Sequence, residues 1–499
     1  MTHKEESIGT TWKSQAGYVW SLIGSAVGFA NILSFSAQVY KNGGGAFLIP
    51  YCIALFLLGI PLLILEGMIG NRCKSPLVSA YGMVWGKWGK VLGWLAVLAC
   101  FSIGGFYIVL TGYSVAYTYF SALDGVPVDS KGFFLNSFLK ITEGVTDFGA
   151  FSLPIFASTL AVAAVTWWVL VKDIRSGIER VCSFFMPLLA GIMTLFAIVV
   201  SFLPGGLDGW LYYLKPDFAK LFDASLWRDV FGQLFFSLSL GLGIIVGYSR
   251  HTGKATNVPR AMLYVALGDF VVSFISGAAI FGCLAHISYV HQIPFESILP
   301  TESTFEIGFI VFPQIFKFFG PLFGSMIGVL FFLCIFIAGI TGVFSIVESI
   351  AGNIEFEFQT TRKKAVSLTV SALLVSSVIF CMGNGSHLMD ALVPMVIGTN
   401  MLIGGLALIF AFQYGYESIG KDVIWVKKGR LSFYGFCLRY IAPLLLLVIL
   451  VSNLFQEFQV LSIAQGIRWA WLGCALLIAA ILGNLSDYLR QESFLKKLS

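Results

Sequence analysis

Twelve long apolar stretches dominate this chain, near residues 17–38, 44–70, 91–121, 150–171, 180–202, 229–249, 261–289, 319–352, 365–382, 388–415, 433–454 and 467–488. A helix needs ~20 apolar residues to cross the hydrocarbon core of a bilayer. Lipid offers backbone polar groups no partner, so only helices and closed barrels span it. Nothing in the chain shows the alternating ~10-residue strands of a barrel. Composition points the same way: 58% of residues are hydrophobic and 11% charged, against about 25% charged in soluble globular chains. The expectation is an all-α membrane protein with twelve transmembrane helices, forming one polytopic domain over residues 1–499.

The cationic residues set an orientation. With the N-terminus inside, 23 of the 31 Lys and Arg fall on the cytoplasmic side. The positive-inside rule then places both termini in the cytoplasm and the chain in a cell inner membrane. The nine cysteines are scattered with no C-x-x-C pair, so neither a zinc site nor a disulfide framework is indicated. No Ser–His–Asp set, H-E-x-x-H or P-loop is visible, which argues against an enzyme. Residues His251, His286, His291 and His387 fall at loops or span ends and are expected to be solvated. The stretch 290–318, with three prolines, is expected to hold short helices over the outer mouth.

Two spans are interrupted. The first contains Gly24-Ser25-Ala26-Val27-Gly28-Phe29-Ala30-Asn31, the sixth Ser237-Leu238-Ser239-Leu240-Gly241-Leu242-Gly243. Glycine weakens a helix, and Ser and Asn compete for its backbone hydrogen bonds. Small residues also serve close helix packing, but breaks at corresponding places in two halves mark a midplane ligand site. The breaks lie where a five-plus-five inverted repeat would require them, and the expected organisation has residues 12–202 as the first unit, 229–415 as the second, and 433–488 as two extra helices. Helices 1 and 6 should be unwound near Ala26–Ala30 and Ser237–Leu242.

Ionisable residues inside spans are few: Glu66, Asp269 and Glu348 stand out. A charge at mid-bilayer costs about 2.5–3.5 kcal/mol on insertion scales, so it faces a cavity, a partner or an ion. Asn31, Ser237, Asp269 and Thr341, with carbonyls freed at the breaks, offer oxygens to a hard cation. Half-helix N-termini would attract a carboxylate. Tyr107, Phe236, Leu242 and Ile346 lie near the breaks and could meet an apolar side chain.

These residues carry a pattern. GSAVGFANI followed by NGGGAFLIPY and GIPLLILE, then GQLFFSLSLGLG at 232–243 and AGIT at 338–341, resembles the neurotransmitter:sodium symporter family, in its bacterial amino-acid branch. The likeness covers about residues 12–415. It implies sodium-coupled symport of an amino acid by alternating access, with Na+ as the coupling ion and lipid around it, and no nucleic-acid partner. Matching the family's motifs position by position implies a first sodium site at Ala26, Asn31, Ser237 and Asp269. A second would use Gly24, Val27, Ala338 and Thr341. The substrate pocket would comprise Ala26, Gly28, Ile103, Tyr107, Phe236, Ser239, Leu242, Gly342 and Ile346. Tyr107 would hold the substrate carboxylate, Phe236 would lid it, and Glu66 would accept N–H groups freed in the sixth helix. Glycine at 28, where monoamine carriers of the family have an acid, implies a substrate with its own carboxylate.

Departures from the family pattern shape the rest of the expectation. Gly342 stands where the second sodium site usually has a hydroxyl, which predicts a weak second site; with Leu242, where the family commonly has a Phe, it also predicts a roomier pocket. Ser34 and Gly9 stand where the family has its outer and inner gate arginines, while the outer gate's acidic partner is matched by Asp390. Lys4 or Lys13 could substitute at the inner gate. Chloride-dependent members have Asn at the position of Asp269, with ligands matching Tyr51, Gln233, Ser237 and Ser273; a carboxylate there predicts chloride independence. The expected substrate is a neutral, bulky apolar or aromatic amino acid. The alternative is a membrane sensor that binds an amino acid without moving it.

Overall fold

The computed structural model describes residues 11–123, 129–253, 255–298, 307–414, 426–427, 430–459 and 462–498. They are helical apart from connecting turns and a two-residue antiparallel pair, Val426–Lys427 with Arg430–Leu431. The first span is split into α1 (Gln15–Ala26) and α2 (Ala30–Lys41), which meet at 60°. Next come α3 (Gly45–Cys73), α4 (Leu77–Leu123), α5 (Leu153–Leu170) and α6 (Arg175–Ser201). The sixth span is again split, into α7 (Ala224–Ser237) and α8 (Ile244–Ser249). The remaining spans are α9 (Val258–His291), α10 (Pro321–Glu357), α11 (Arg362–Cys381), α12 (Gly385–Phe412), α13 (Phe433–Gln459) and α14 (Ile463–Leu489). Among the described residues, ten continuous helices are long and apolar enough to cross a membrane, and the bent first pair makes an eleventh span; the split sixth span, α7 with α8, is consistent with a twelfth crossing.

The inner bundle and its shell differ in what they face. Helices α4, α9, α10 and α12 are largely buried within the protein, whereas α6, α13 and α14 turn most of their apolar surface outward, toward lipid. Helix α10 runs along α4, and α9 packs against α6 and α3. Lys90 of α4 pairs with Glu357 of α10 at 3.2 Å and with Asp487, tying α14 to the bundle. Short helices Phe295–Ser297, Ile307–Val311 and Phe312–Phe316 lie in the connection between α9 and α10. There Phe309 stacks on Phe134 and Phe332 and meets Tyr117 edge to face. All nine cysteines are free thiols. Two histidines depart from the solvated reading. His286 is buried and its Nδ1 lies 2.8 Å from the Pro204 carbonyl, while His387 Nε2 lies 2.7 Å from that of Thr142. Loop carbonyls left without helix partners fold back on them.

Both breaks have local causes. Val27 adopts extended angles (φ −72°, ψ 112°), and the Gly28 N–H, released from the helix, donates to Asn31 Oδ1 at 2.9 Å. The asparagine thus supplies the acceptor that the broken helix lost. In the sixth span Ser239, Gly241 and Gly243 all have positive φ (53°, 78° and 73°), a region that L side chains resist. The loop is also jammed against α12: a Cβ on Gly241 would sit 2.3 Å from the Met401 carbonyl oxygen, and one on Gly404 2.3 Å from that of Gly241. Gly241→Ala should therefore lower the thermal unfolding temperature of the detergent-purified protein. Left-handed strain alone costs about 1–3 kcal/mol, and the backbone clash adds to it. Gly191→Ala, on exposed α6 where a Cβ meets nothing within 4 Å, should leave that temperature unchanged or raise it.

Candidate functional site

The two breaks face one another across a polar knot. Asn31, Ser237, Asp269 and Ser273 are all fully buried. The Asn31 Nδ2 donates to Asp269 Oδ1 at 2.6 Å and reaches Ser237 Oγ at 3.0 Å and Ser273 Oγ at 2.8 Å. Ser237 Oγ, in the last turn of α7, lies 2.9 Å from both Asp269 oxygens. Three of the four residues expected at a first sodium site, Asn31, Ser237 and Asp269, are in direct contact, and Ala26 ends α1 at the adjacent break. Among the described residues, Asp269 has no Lys, Arg or His partner. A buried charge needs a counter-charge or a dense set of dipoles. A carboxylate, a hydroxyl and freed carbonyls form a donor set that fits a small hard cation. Asn31 Nδ2 now supplies the N–H dipole facing that carboxylate.

The second expected set is less closely knit. Val27 lies in the break, and the Ala338 carbonyl is 3.9 Å from where a Cβ on Gly28 would stand. Thr341 Oγ1 donates to the carbonyls of Ile337 (3.0 Å) and Ala338 (3.1 Å), leaving its lone pairs for a ligand. Gly24 packs against Cys182 and Met186 of α6.

All nine residues expected in the substrate pocket line one cavity: Ala26, Gly28, Ile103, Tyr107, Phe236, Ser239, Leu242, Gly342 and Ile346, together with Ser25, Ala30, Ile244 and Ser345. The cavity is only about 30 Å³, room for about two water molecules. The expectation that Gly342 enlarges it is not met, because the Tyr107 ring occupies the space the missing side chain leaves: a Cβ on Gly342 would lie 2.7 Å from Tyr107 Oη. Tyr107 Oη accepts the Phe29 N–H at 3.4 Å, and the two rings meet edge to face at 5.1 Å. Glu66, fully buried on α3, accepts the Gly241 N–H at 2.8 Å.

Above the cavity opens a vestibule of about 360 Å³, walled by Ser34, Gln38, Arg228, Asp229, Gln233, Asp390, Asn453 and Glu457 among others. Phe236 lines both spaces and forms the floor between them. Ser34 donates to Gln233 Oε1 at 2.7 Å, and Gln233 Nε2 donates to the Ala30 carbonyl at 2.7 Å. Asp390 is exposed in the opposite wall and, among the described residues, makes no ion pair.

At the end of the bundle that holds residues 11–14, the chain is closed by groups that the sequence showed only as loop charges or did not single out. Glu179, buried in the first turns of α6, accepts the N–H groups of Lys13 (2.7 Å) and Ser14 (3.3 Å). Arg175 donates to the Thr11 carbonyl at 2.6 Å, and Trp12 Nε1 to the Tyr248 carbonyl at 2.9 Å. Lys13 enters through its main chain, with its side chain exposed, so its ammonium does not replace a gate arginine. Positions 4 and 9 lie outside the described residues. Nearby, the buried Glu348 pairs with Arg362 at 2.8 Å and Arg250 at 3.6 Å. The signal that could have exposed Glu179 is Gly17, where any Cβ would collide with its carboxylate. Hydrogen bonds to a charged group contribute about 1.5–3 kcal/mol. Glu179→Ala should therefore speed amide exchange of residues 13–18 by about tenfold or more, read by mass spectrometry, with α9 and α10 unaffected.

Comparison with known proteins places this geometry. The model of the sodium:neurotransmitter symporter family matches residues 9–130 and 126–485. An uncharacterized sodium-dependent transporter of Methanocaldococcus jannaschii is 33% identical over 449 residues, covering 90% of each chain. A sodium-dependent dopamine transporter of Caenorhabditis elegans is 26% identical, covering 92% of this chain and 83% of its own. The crystal structure of MhsT in complex with L-phenylalanine superposes with a TM-score of 0.76 at 25% identity, covering 89% of this chain and 99% of the other. The chain therefore belongs to the sodium:neurotransmitter symporter family and is a multi-span sodium-dependent transporter, not an enzyme.

Proposed function

We propose that this protein imports a neutral, bulky apolar or aromatic amino acid by sodium-coupled alternating access, without chloride. It would work in a cell inner membrane with both termini cytoplasmic. The observation that carries this reading is Asp269: a fully buried carboxylate, without a protein cation among the described residues, at the junction of two broken helices. The C-terminal end of α7 points its negative pole at the same place. Bound sodium would supply the positive charge there, and Ala26, Asn31, Ser237 and Asp269 are the residues to hold it. Gly24, Val27, Ala338 and Thr341 would form a weaker second site. One ion carries enough driving force: about 2.3 kcal/mol at 100 mV plus ~1.4 for a tenfold gradient sustains roughly several-hundred-fold accumulation of a zwitterion.

The substrate class rests on the cavity wall. None of its lining residues is charged, so neither an acidic nor a basic side chain would find a counter-charge. L-phenylalanine bound to MhsT is consistent with that chemistry. The cavity has to widen to admit such a side chain, and Phe236 and Tyr107 are the rings placed to yield. Phe236, between vestibule and cavity, would close the path from outside. The Glu179 clasp would close it from inside. A hydrophobic pocket separates neighbours by only ~10–200-fold per methylene, so broad apolar selectivity is expected.

Chloride independence rests on how the polar groups are used. Ser237 faces the Asp269 carboxylate, Ser273 Oγ donates to the Asp269 carbonyl at 2.9 Å, and Gln233 is engaged by Ser34 and Ala30. An anion ~5 Å from an ionised Asp269 would be repelled by about 3 kcal/mol at an effective dielectric of 20.

In proteoliposomes with an imposed sodium gradient, Leu, Met, Phe, Tyr and Trp should compete for uptake better than Asp, Glu, Lys and Arg. Preloaded substrate should drive counterflow, which a sensor would not give. Replacing chloride with gluconate should leave wild-type uptake intact. Asp269→Asn should lose at least about tenfold, with residual activity improved by chloride. Severe loss of wild-type uptake in gluconate would refute chloride independence.

A further inference from the structure

The hydroxyl of Tyr107 stands in a slot whose two walls are both glycine. A Cβ on Gly28, in the break of the first span, would lie 2.2 Å from Tyr107 Oη. A Cβ on Gly342 of α10 would lie 2.7 Å from Oη, 2.9 Å from Cε1 and 3.0 Å from Cζ. Neither wall can readily give way. The Gly342 carbonyl accepts the Ser345 hydroxyl at 2.7 Å, within a buried stretch of α10. The ring is buried on α4 with the edge of Phe29 against it. The slot aims the phenol at the first turn of α2, where it accepts the Phe29 N–H. Having accepted there, the hydroxyl keeps its own proton for donation.

We propose that Gly342 is a positioning residue for substrate recognition: the space it leaves on α10 seats the Tyr107 ring, so that the phenol proton faces the carboxylate of the amino acid. The inference rests on the amino-acid reading above. It gives Gly342 a role that differs from a lost sodium ligand. A side chain on α10 at this place displaces the ring and costs substrate affinity, whether or not it brings a hydroxyl. Packing rather than coordination decides the residue, because the ring lies against Gly342 on one side and its hydroxyl against Gly28, so an added side chain has to displace it.

The experiment is a double-mutant cycle on the purified full-length protein. It reads equilibrium binding of radiolabelled L-phenylalanine in sodium buffer, with a sodium-activation curve for each variant. Gly342→Ala should weaken binding by about tenfold, and Gly342→Ser should do no better. Tyr107→Phe should weaken wild type by a similar factor yet change the Gly342→Ala protein by less than about twofold, because a displaced phenol has nothing left to lose. The Hill coefficient for sodium should be the same in Gly342→Ser and wild type. Additive losses, or a Gly342→Ser protein with tighter and steeper sodium activation, would overturn the seat. If Gly342→Ala proves too unstable to purify, adding Tyr107→Leu must restore its thermal stability; failure of that rescue also overturns it. A wild type with no sodium-dependent L-phenylalanine binding would instead overturn the substrate reading on which the inference stands.

Discussion

A carboxylate buried where two helices stop organises this molecule. Asp269 lies on a continuous helix, α9, and the groups around it come from both broken spans. Asn31 bends the first span by accepting the Gly28 N–H with its oxygen, and it faces Asp269 with its nitrogen. Ser237 is the last helical residue of α7, so its hydroxyl and the negative end of that half-helix converge on the same carboxylate. Charge of one sign is thereby concentrated in a dry interior, which favours a cation there. Another buried acid, Glu66, sits at the far side of the α7–α8 break and receives the Gly241 N–H. The loop between the half-helices is therefore held from α9 at one end and from α3 at the other.

The two faces of the protein are closed to different degrees by different chemistry. At one end, the vestibule reaches down to Phe236, with Ser34 and Asp390 on its walls. At the other end, a buried glutamate and an arginine from the start of α6 grip the main chain of residues 11–14. Main-chain N–H and C=O groups carry no sequence signature, and these contacts draw on no side chain at position 9. It also makes α6 the element whose movement would release α1.

Close approach, rather than spare volume, is the use made of glycine near the site. Gly241 lets the loop of the sixth span touch the backbone of α12, and Gly28 and Gly342 admit the Tyr107 ring. The cavity is consequently small despite several residues without side chains. Counting missing side chains overestimates pocket size, because neighbouring rings move into the space until packing density is restored.

Residue types and their spacing by themselves determined the membrane class, the twelve crossings and the breaks in the first and sixth spans. Apolar run length is dictated by bilayer thickness, and Gly, Ser and Asn act on the backbone they belong to. The nine cavity residues were legible through likeness to a family, since only long ordered motifs bring residues 26, 107, 236 and 342 to one place. Tertiary structure alone decided that Tyr107 fills the room left by Gly342, that Gln233 serves Ser34 and Ala30, that Glu179 caps the entry to α1, and that His286 is buried against Pro204. Each of these is a contact between segments tens to hundreds of residues apart, and such contacts depend on how helices pack in three dimensions, which no local spacing encodes.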